Sequence, residues 1–238
     1  MPDLSYRSNQ PELIDDFELD NDALRQNLEE LALINQYLGG NQVTIGGLKA
    51  LLKNHDKSKA IVIGDLGCGG GDMLKLMARW LQQKGYKSKL VGIDANDFMI
   101  DFAKKRTQSF PDISYLHENV FAESFQQHTF DIVGMTLFCH HFTDEQLIRL
   151  FELLKKQCRL GFVINDIHRH WFAYHSIAWI TQLFLKSYLV KHDAKLSVWR
   201  AFKKSEIVSL LEKAGIHHYR IRWRWAFRWE VVVKTDQL

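Results

Sequence analysis

Three groups of residues carry the chemical potential of this chain. The first is Asp65-Leu66-Gly67-Cys68-Gly69-Gly70-Gly71, an acid followed by a glycine cluster. Glycine allows a tight turn with positive φ and lets backbone approach a ligand closely. The second is Asp94, an acid at the end of the apolar run Leu90-Val91-Gly92-Ile93. The third is a set of histidines, His140, His141, His168, His170 and His175, each just beyond an apolar run. A neutral imidazole takes a proton near neutral pH.

The spacing of the glycines selects among nucleotides. A dinucleotide fingerprint needs Gly-x-Gly-x-x-Gly, and counting from Gly67 and Gly69 puts Asp72 in the third glycine slot. An acid just before the turn repels a pyrophosphate and attracts an ammonium group. Asp94 is placed to accept hydrogen bonds from both ribose hydroxyls. A cationic ligand with a ribose and no phosphate is S-adenosylmethionine.

These elements need a scaffold. Ile61 to Leu66 is a β-branched run too short for a helix, and the helical pattern of Leu74, Met77 and Leu81 follows the turn. Strands are expected at 89–94, 113–117, 130–137 and 160–164, alternating with helices. Asn96 caps one helix, and Thr143 to Gln146 is a capping box that opens another. The alternation predicts an α/β fold, a Rossmann-like parallel sheet with helices on both faces and right-handed crossovers. Two alternating runs, 219–225 and 227–234, read as an antiparallel hairpin with Arg220, Arg222 and Arg224 on one face. A charged edge strand is the expected role of that face.

Residues 1–58 read as an N-terminal helical extension acting as a cap or lid, with helices over 21–38 and 45–53 after an acidic arm over 1–20. Residues 59–238 form the sheet domain, with an apolar helical insertion at about 169–191. Core packing is the expected fate of that insertion; a hydrophobic substrate wall and a surface resting on a membrane or lipid are its alternatives.

Composition bounds the class. The 238 residues are 46% hydrophobic with seven Trp, ample for a sizeable core, and the formal charge of +3 gives no bulk affinity for nucleic acid. Three cysteines without paired spacing fit a reducing, cytoplasmic setting. The start shows no signal peptide and no stretch is long and apolar enough to span a membrane.

Asp65 to Gly71, with Gly92-Ile93-Asp94 and Phe130-Asp131-Ile132-Val133, resembles the class I S-adenosylmethionine-dependent methyltransferases, most closely the ubiquinone/menaquinone-biosynthesis type acting on small molecules. The resemblance covers about residues 60–234. It implies a seven-stranded sheet whose last strand is antiparallel. It places Asp65 and Gly67 at the methionine end of the cofactor, with Cys68 and Gly69 beside them, and Asp94 on the ribose. Ala95 and Phe98 would flank the adenine. Asn119, where the family usually has an acid, would accept the adenine amino group, with Val120 next to it and Thr136 at the fourth-strand end.

On the acceptor side, Met135 to His141 lacks the motifs of nucleic-acid methyltransferases, which counts against such substrates. Asn165-Asp166 lacks the third ligand of a magnesium site, and no zinc spacing is present, so no metal is expected. His168 and His170, then His141, are the expected general bases. The acceptor is expected to be a small lipophilic molecule such as a phenol, a quinone precursor or a polyketide, methylated at oxygen or carbon. A nicotinamide oxidoreductase and a non-catalytic cofactor-binding module are the rival readings.

Overall fold

The computed structural model describes residues 2–16 and 21–235, with the side chain of Asn21 excluded. The acidic arm expected over 1–20 therefore falls partly outside the described residues. The seven strands are β1 (Ile61–Leu66), β2 (Ser88–Asp94), β3 (Ile113–His117), β4 (Phe130–Thr136), β5 (Cys158–Ile167), β6 (Tyr219–Arg224) and β7 (Arg228–Lys234). They form one sheet in the order β3-β2-β1-β4-β5-β7-β6. The first five pair in parallel, while β7 runs antiparallel to both neighbours. The seven-stranded sheet with an antiparallel last strand is as expected.

The helices are α1 (Asn21–Tyr37), α2 (Gly40–Leu51), α3 (Asp72–Gln83), α4 (Asp97–Arg106), α5 (Asp144–Gln157), α6 (Trp171–Phe184), α7 (Tyr188–Arg200) and α8 (Lys204–Lys213). One face of the sheet is covered by α5 and α8 through Leu147, Phe151, Leu154, Leu210 and Leu211. On the other face Ile45, Leu48 and Leu52 share a buried cluster with Ile61, Ile63, Leu74 and Met77. The strand apices of β1, β2, β4 and β5 thus converge at one end, where ligands bind in open α/β sheets.

That second cluster departs from the expected boundary at residue 58. Helix α2 belongs to the sheet layers, because its apolar face meets β4, β5 and β7. Buried Asn165 ties it down, donating from Nδ2 to Gly40 O (2.8 Å) and Thr44 Oγ1 (3.0 Å). Gly47 sits so close to Val163 that a Cβ would lie 2.4 Å from its Cγ1. Residues 2–16 and α1 pack against α7 instead.

The insertion also differs from expectation. It is two helices rather than one run, and in α6 only Ala173 and Thr181 are buried. Core packing is therefore not the role of α6, whereas Leu189 and Val190 at the start of α7 are buried. Nor is the arginine face of β6 merely solvated: Arg220 and Arg224 both donate to the fully buried Glu230, at 3.2 and 2.8 Å. Paired this way, the guanidinia offset the cost of burying that carboxylate.

Candidate active site

A cavity of about 770 Å³ opens at the apex of β1, β2 and β4. That is the size of a cofactor or drug-like pocket. The β1–α3 turn forms its floor. Gly67, Gly69 and Gly71 all have positive φ (66°, 47° and 73°). At Gly67 a Cβ would lie 2.2 Å from Cδ2 of Phe138, so both the backbone and the close approach require glycine. Leu137, at φ 55°, is a non-glycine residue in the same strained region at the end of β4, and it too lines the cavity.

Asp65 and Asp94 face this turn from adjacent strands. Asp94 accepts the N–H of Gly69 on Oδ2 and that of Asn96 on Oδ1, both at 3.0 Å, which fixes its carboxylate. Asp65 is 2% exposed. Burial, reinforced by the charge of Asp94, pushes its carboxyl up to about 8. Burial also raises Asp94, against the lowering by its backbone hydrogen bonds. Among the described residues no Lys or Arg pairs with either acid, so the pair offers a ready place for a cationic ligand.

Asp72 behaves differently. Arg106 grips it with two bonds of 2.7 and 2.8 Å and Lys75 adds a third contact at 3.2 Å, joining α3 to α4. The charge of Asp72, paired in this way, therefore does not carry the repulsion of phosphate read from the sequence.

Asp65, Gly67, Cys68, Gly69, Asp94, Ala95, Asn119, Val120 and Thr136 all line the one cavity. Oδ1 of Asn119 already accepts the N–H of Phe121 (2.9 Å), and the hydroxyl of Thr136 bonds that of Thr44 (2.7 Å). Phe98 does not line it. Its ring stacks on Phe102 (6.0 Å) and packs into the small cluster of Leu24, Leu28, Met99 and Leu189, and Met99 reaches the cavity in its place. Helical phase explains this: one residue further along α4 turns the side chain toward the strand apex.

The histidines divide in the same way. His168 and His170 do not line the cavity. His170 caps α6, accepting the N–H of Phe172 on Nδ1 (3.2 Å). His168 packs against Trp229 (4.7 Å), and burial, with the nearby His170 and Arg169, holds its imidazole below the usual range. His140 and His141 do line it.

His140 is anchored at one ring nitrogen and at its backbone. Nδ1 lies 2.7 Å from Oδ1 of Asp166, and the backbone N–H of His140 donates to the other oxygen at 3.2 Å. A carboxylate only accepts, so Nδ1 carries the proton and Nε2 faces Glu12 Oε1 at 3.5 Å. Burial alone would raise Asp166, but the charge and hydrogen bond of His140 keep it below the usual carboxylate range. His141 pairs with Asp15 through Nδ1 at 2.8 Å. Burial would lower His141, but Asp15 and Glu12 outweigh it and leave the imidazole raised.

Glu12 and Asp15 come from a strap over 2–16 that the sequence did not connect with the histidines. The strap is laid down by polar contacts to α7 and its flanks. Asp193 accepts the N–H groups of Leu13 and Ile14 (2.9 and 3.0 Å), and Ser197 donates to Glu12 Oε2 (2.9 Å). Arg200 donates to Gln10 O and to His141 O, and its Nε lies 3.8 Å from Glu12 Oε1. Donor atoms of Glu12, His140 and His141 lie within 4.8 Å of one another, a spacing a metal could use. Arg200 approaches the same Glu12 oxygen at 3.8 Å, so a cationic side chain already borders the cluster.

The remaining wall is apolar, formed by Leu28 and Leu31 of α1, Leu38 just after it, Phe138, Phe142, and Ile177 and Ile180 of α6. One cavity thus joins an acid pair on a glycine turn, an acid–histidine pair, and a greasy flank.

Residues 63–161 match the family model described as a methyltransferase domain. A 2-phytyl-1,4-naphtoquinone methyltransferase from Nostoc sp. is 33% identical over 110 residues, covering 44% of this chain and 46% of that protein. The chain therefore aligns with less than half of the length of that curated relative. Among solved structures, the plantazolicin methyltransferase BpumL with SAH superposes with a TM-score of 0.64 at 18% identity, covering 86% of this chain and 79% of the other. The CurJ carbon methyltransferase gives 0.62 at 13% identity, over 82% and 54%. Magnesium protoporphyrin IX methyltransferase from Synechocystis PCC 6803, with bound SAM, gives 0.53 at 14%, over 85% and 83%. At such identities the structural likeness establishes the shared fold.

Proposed function

We propose that this chain, whose residues 63–161 constitute a methyltransferase domain, uses S-adenosylmethionine to methylate a small lipophilic acceptor at oxygen or carbon. The observation that carries the reading is one cavity holding both the Asp65–Asp94 pair and the Asp166–His140 pair. When bound, the cofactor supplies an electrophilic methyl group on a sulfonium. The chain's own residues then have three tasks.

The first is to hold a cation. Asp65 is unpaired and buried, and it loses its proton when an ammonium group takes the place of solvent. Asp94, fixed by Gly69 and Asn96, keeps lone pairs for ribose hydroxyls. The second is to orient the acceptor. A flat apolar molecule fits between α1, α6 and the Phe138–Phe142 pair, whose rings stand edge to face at 4.8 Å. The third is to take the acceptor's proton. Asp166 orients His140 so that Nε2 is the basic atom, and Glu12 steadies the imidazolium that forms. The role of base thus passes from His168 and His170 to His140, with the His141–Asp15 pair alongside.

Quinone, porphyrin and polyketide methyltransferases among the relatives and neighbours support a ring or polyketide-like acceptor. Calorimetry should find binding of S-adenosylmethionine and S-adenosylhomocysteine and none of NAD. In a screen of phenols, hydroquinones and β-dicarbonyl compounds, His140→Gln should lower turnover by roughly 10²–10⁴-fold with cofactor affinity retained. Turnover unchanged in that variant would remove His140 from the chemistry. Binding of NAD in preference to S-adenosylmethionine would overturn the whole reading.

A further inference from the structure

One side of α6 lines the cavity with Ala173, Ser176, Ile177 and Ile180. Its opposite side carries Trp171, His175, Trp179 and Leu183, four residues apart, as a single stripe. Trp179 is 74% exposed, Phe184 at the helix end 76%, and Leu183 and Trp171 more than half. Two neighbouring elements extend the stripe. Glu30 of α1 accepts the N–H groups of Lys186 and Ser187, which sets α1 beside the end of α6. Leu33 and Tyr37, one and two turns beyond Glu30, are both exposed. At the other end of α6, Phe227 of the β6–β7 turn touches Phe172 and Trp223, each at 5.9 Å, and Trp225 beside it is exposed.

Single exposed apolar residues are ordinary, but this set forms one rim carried by three elements, α1, α6 and the β6–β7 turn, that each also line the cavity. Its α6 and hairpin parts are one-sided in charge: residues 167–192 and 213–229 contain no Asp or Glu and include Lys186, Lys191 and Arg222, whereas the α1 part carries Glu29 and Glu30. Arg222 is exposed, whereas Arg220 and Arg224 are tied to Glu230. A second copy of this surface would set like charges against each other, while an anionic surface complements them. Aromatic residues mixed with Lys and Arg, on a helix without charged residues of its own, match an element that lies in a bilayer interface. No described helix is long and apolar enough to cross a membrane.

We propose that this rim docks the protein on an anionic phospholipid bilayer, with α6 lying along the headgroups and the cavity mouth facing the lipid. A lipophilic acceptor then enters from the bilayer without crossing water; this last step rests on the function proposed above, whereas the docking does not.

The test is flotation of the full chain, without cofactor, on vesicles of phosphatidylcholine alone and of phosphatidylcholine mixed with phosphatidylglycerol. Binding is expected to the mixed vesicles, to weaken with added salt, and to shift tryptophan emission to the blue. The double variant Trp179→Glu/Phe184→Glu should bind at least about tenfold more weakly, and Arg222→Glu should lose most of the preference for phosphatidylglycerol. Circular dichroism and S-adenosylmethionine calorimetry on each variant report whether fold and cofactor site are intact. Absence of vesicle binding, or binding untouched by the double variant, overturns the proposal. So does a dimer seen by light scattering that the double variant dissociates, since the rim would then join two copies. Failed docking with methylation intact would leave the enzymatic reading standing.

Discussion

Asp65, proposed above to hold the cofactor's ammonium group, weakens the empty protein. Its carboxyl is pushed up to about 8, whereas in an unfolded chain it ionises in the usual range near 3.8. Below about pH 4 both states hold the proton and Asp65 contributes nothing to the pH dependence of stability. Between there and about pH 8 the unfolded chain has released the proton while the folded one retains it, so stability falls as pH rises through that window. Asp65→Asn removes this penalty. Without ligand, the variant should melt above the parent by a margin that widens from about pH 5 to about pH 8, read by scanning calorimetry. The same substitution should weaken S-adenosylmethionine at least about tenfold, since a neutral amide offers no counter-charge to an ammonium group. Parent affinity should in turn tighten as pH rises toward 8. A variant that melts no higher than the parent would mean that Asp65 is not strained by burial.

At the scale of elements, chemistry is divided between rigid and applied parts. Strand ends β1, β2 and β5 position Asp65, Asp94 and Asp166, while His140 stands in the short segment after β4. Glu12 and Asp15 depend instead on a strap held by hydrogen bonds, notably the two from Leu13 and Ile14 to Asp193. Such charge-assisted bonds contribute about 1.5–3 kcal/mol each when intact. Asp193→Ala should therefore loosen the strap and lower kcat, while the calorimetric Kd for S-adenosylmethionine changes by less than about threefold. Equal losses in kcat and cofactor affinity would show the strap acting on the cofactor instead. Helix α2, by contrast, looked like part of a removable cap in the sequence. Its apolar spacing says only that one face is buried, and the bonds of Asn165 to Gly40 and Thr44 decide that the partner is the sheet.

For the molecule as a whole, stability is uneven. The sheet is sandwiched by two large buried clusters, whereas α1 joins α4 and α7 through only Leu24, Leu28, Met99 and Leu189 with a few flanking side chains. A cover resting on so small a cluster opens at lower free energy than the sheet. Hydrogen exchange should be fast in residues 3–16 and α1, slow in β1, β4 and β5, and slowed in the cover when S-adenosylhomocysteine is added. Uniform protection of cover and sheet would exclude opening of the cover as the route of entry.

The sequence by itself determined the sheet, its alternation of strands and helices up to β5, and the acid–glycine–acid constellation proposed for the cofactor. These features are local: strand, turn and helix are written in consecutive residues, and Gly67 must be glycine because of its own φ and one close neighbour. Only the tertiary structure brought together the residues proposed for the acceptor side. His140 and Asp166 are 26 residues apart, and Glu12 stands far upstream of both, so no spacing rule joins them. Periodicity likewise marked α6 as apolar and could not say which face was covered, because coverage is a property of what packs against a helix. His168 and His170 sat in the right stretch of sequence, but the end of β5 turns them away from the cavity toward Trp229 and the start of α6.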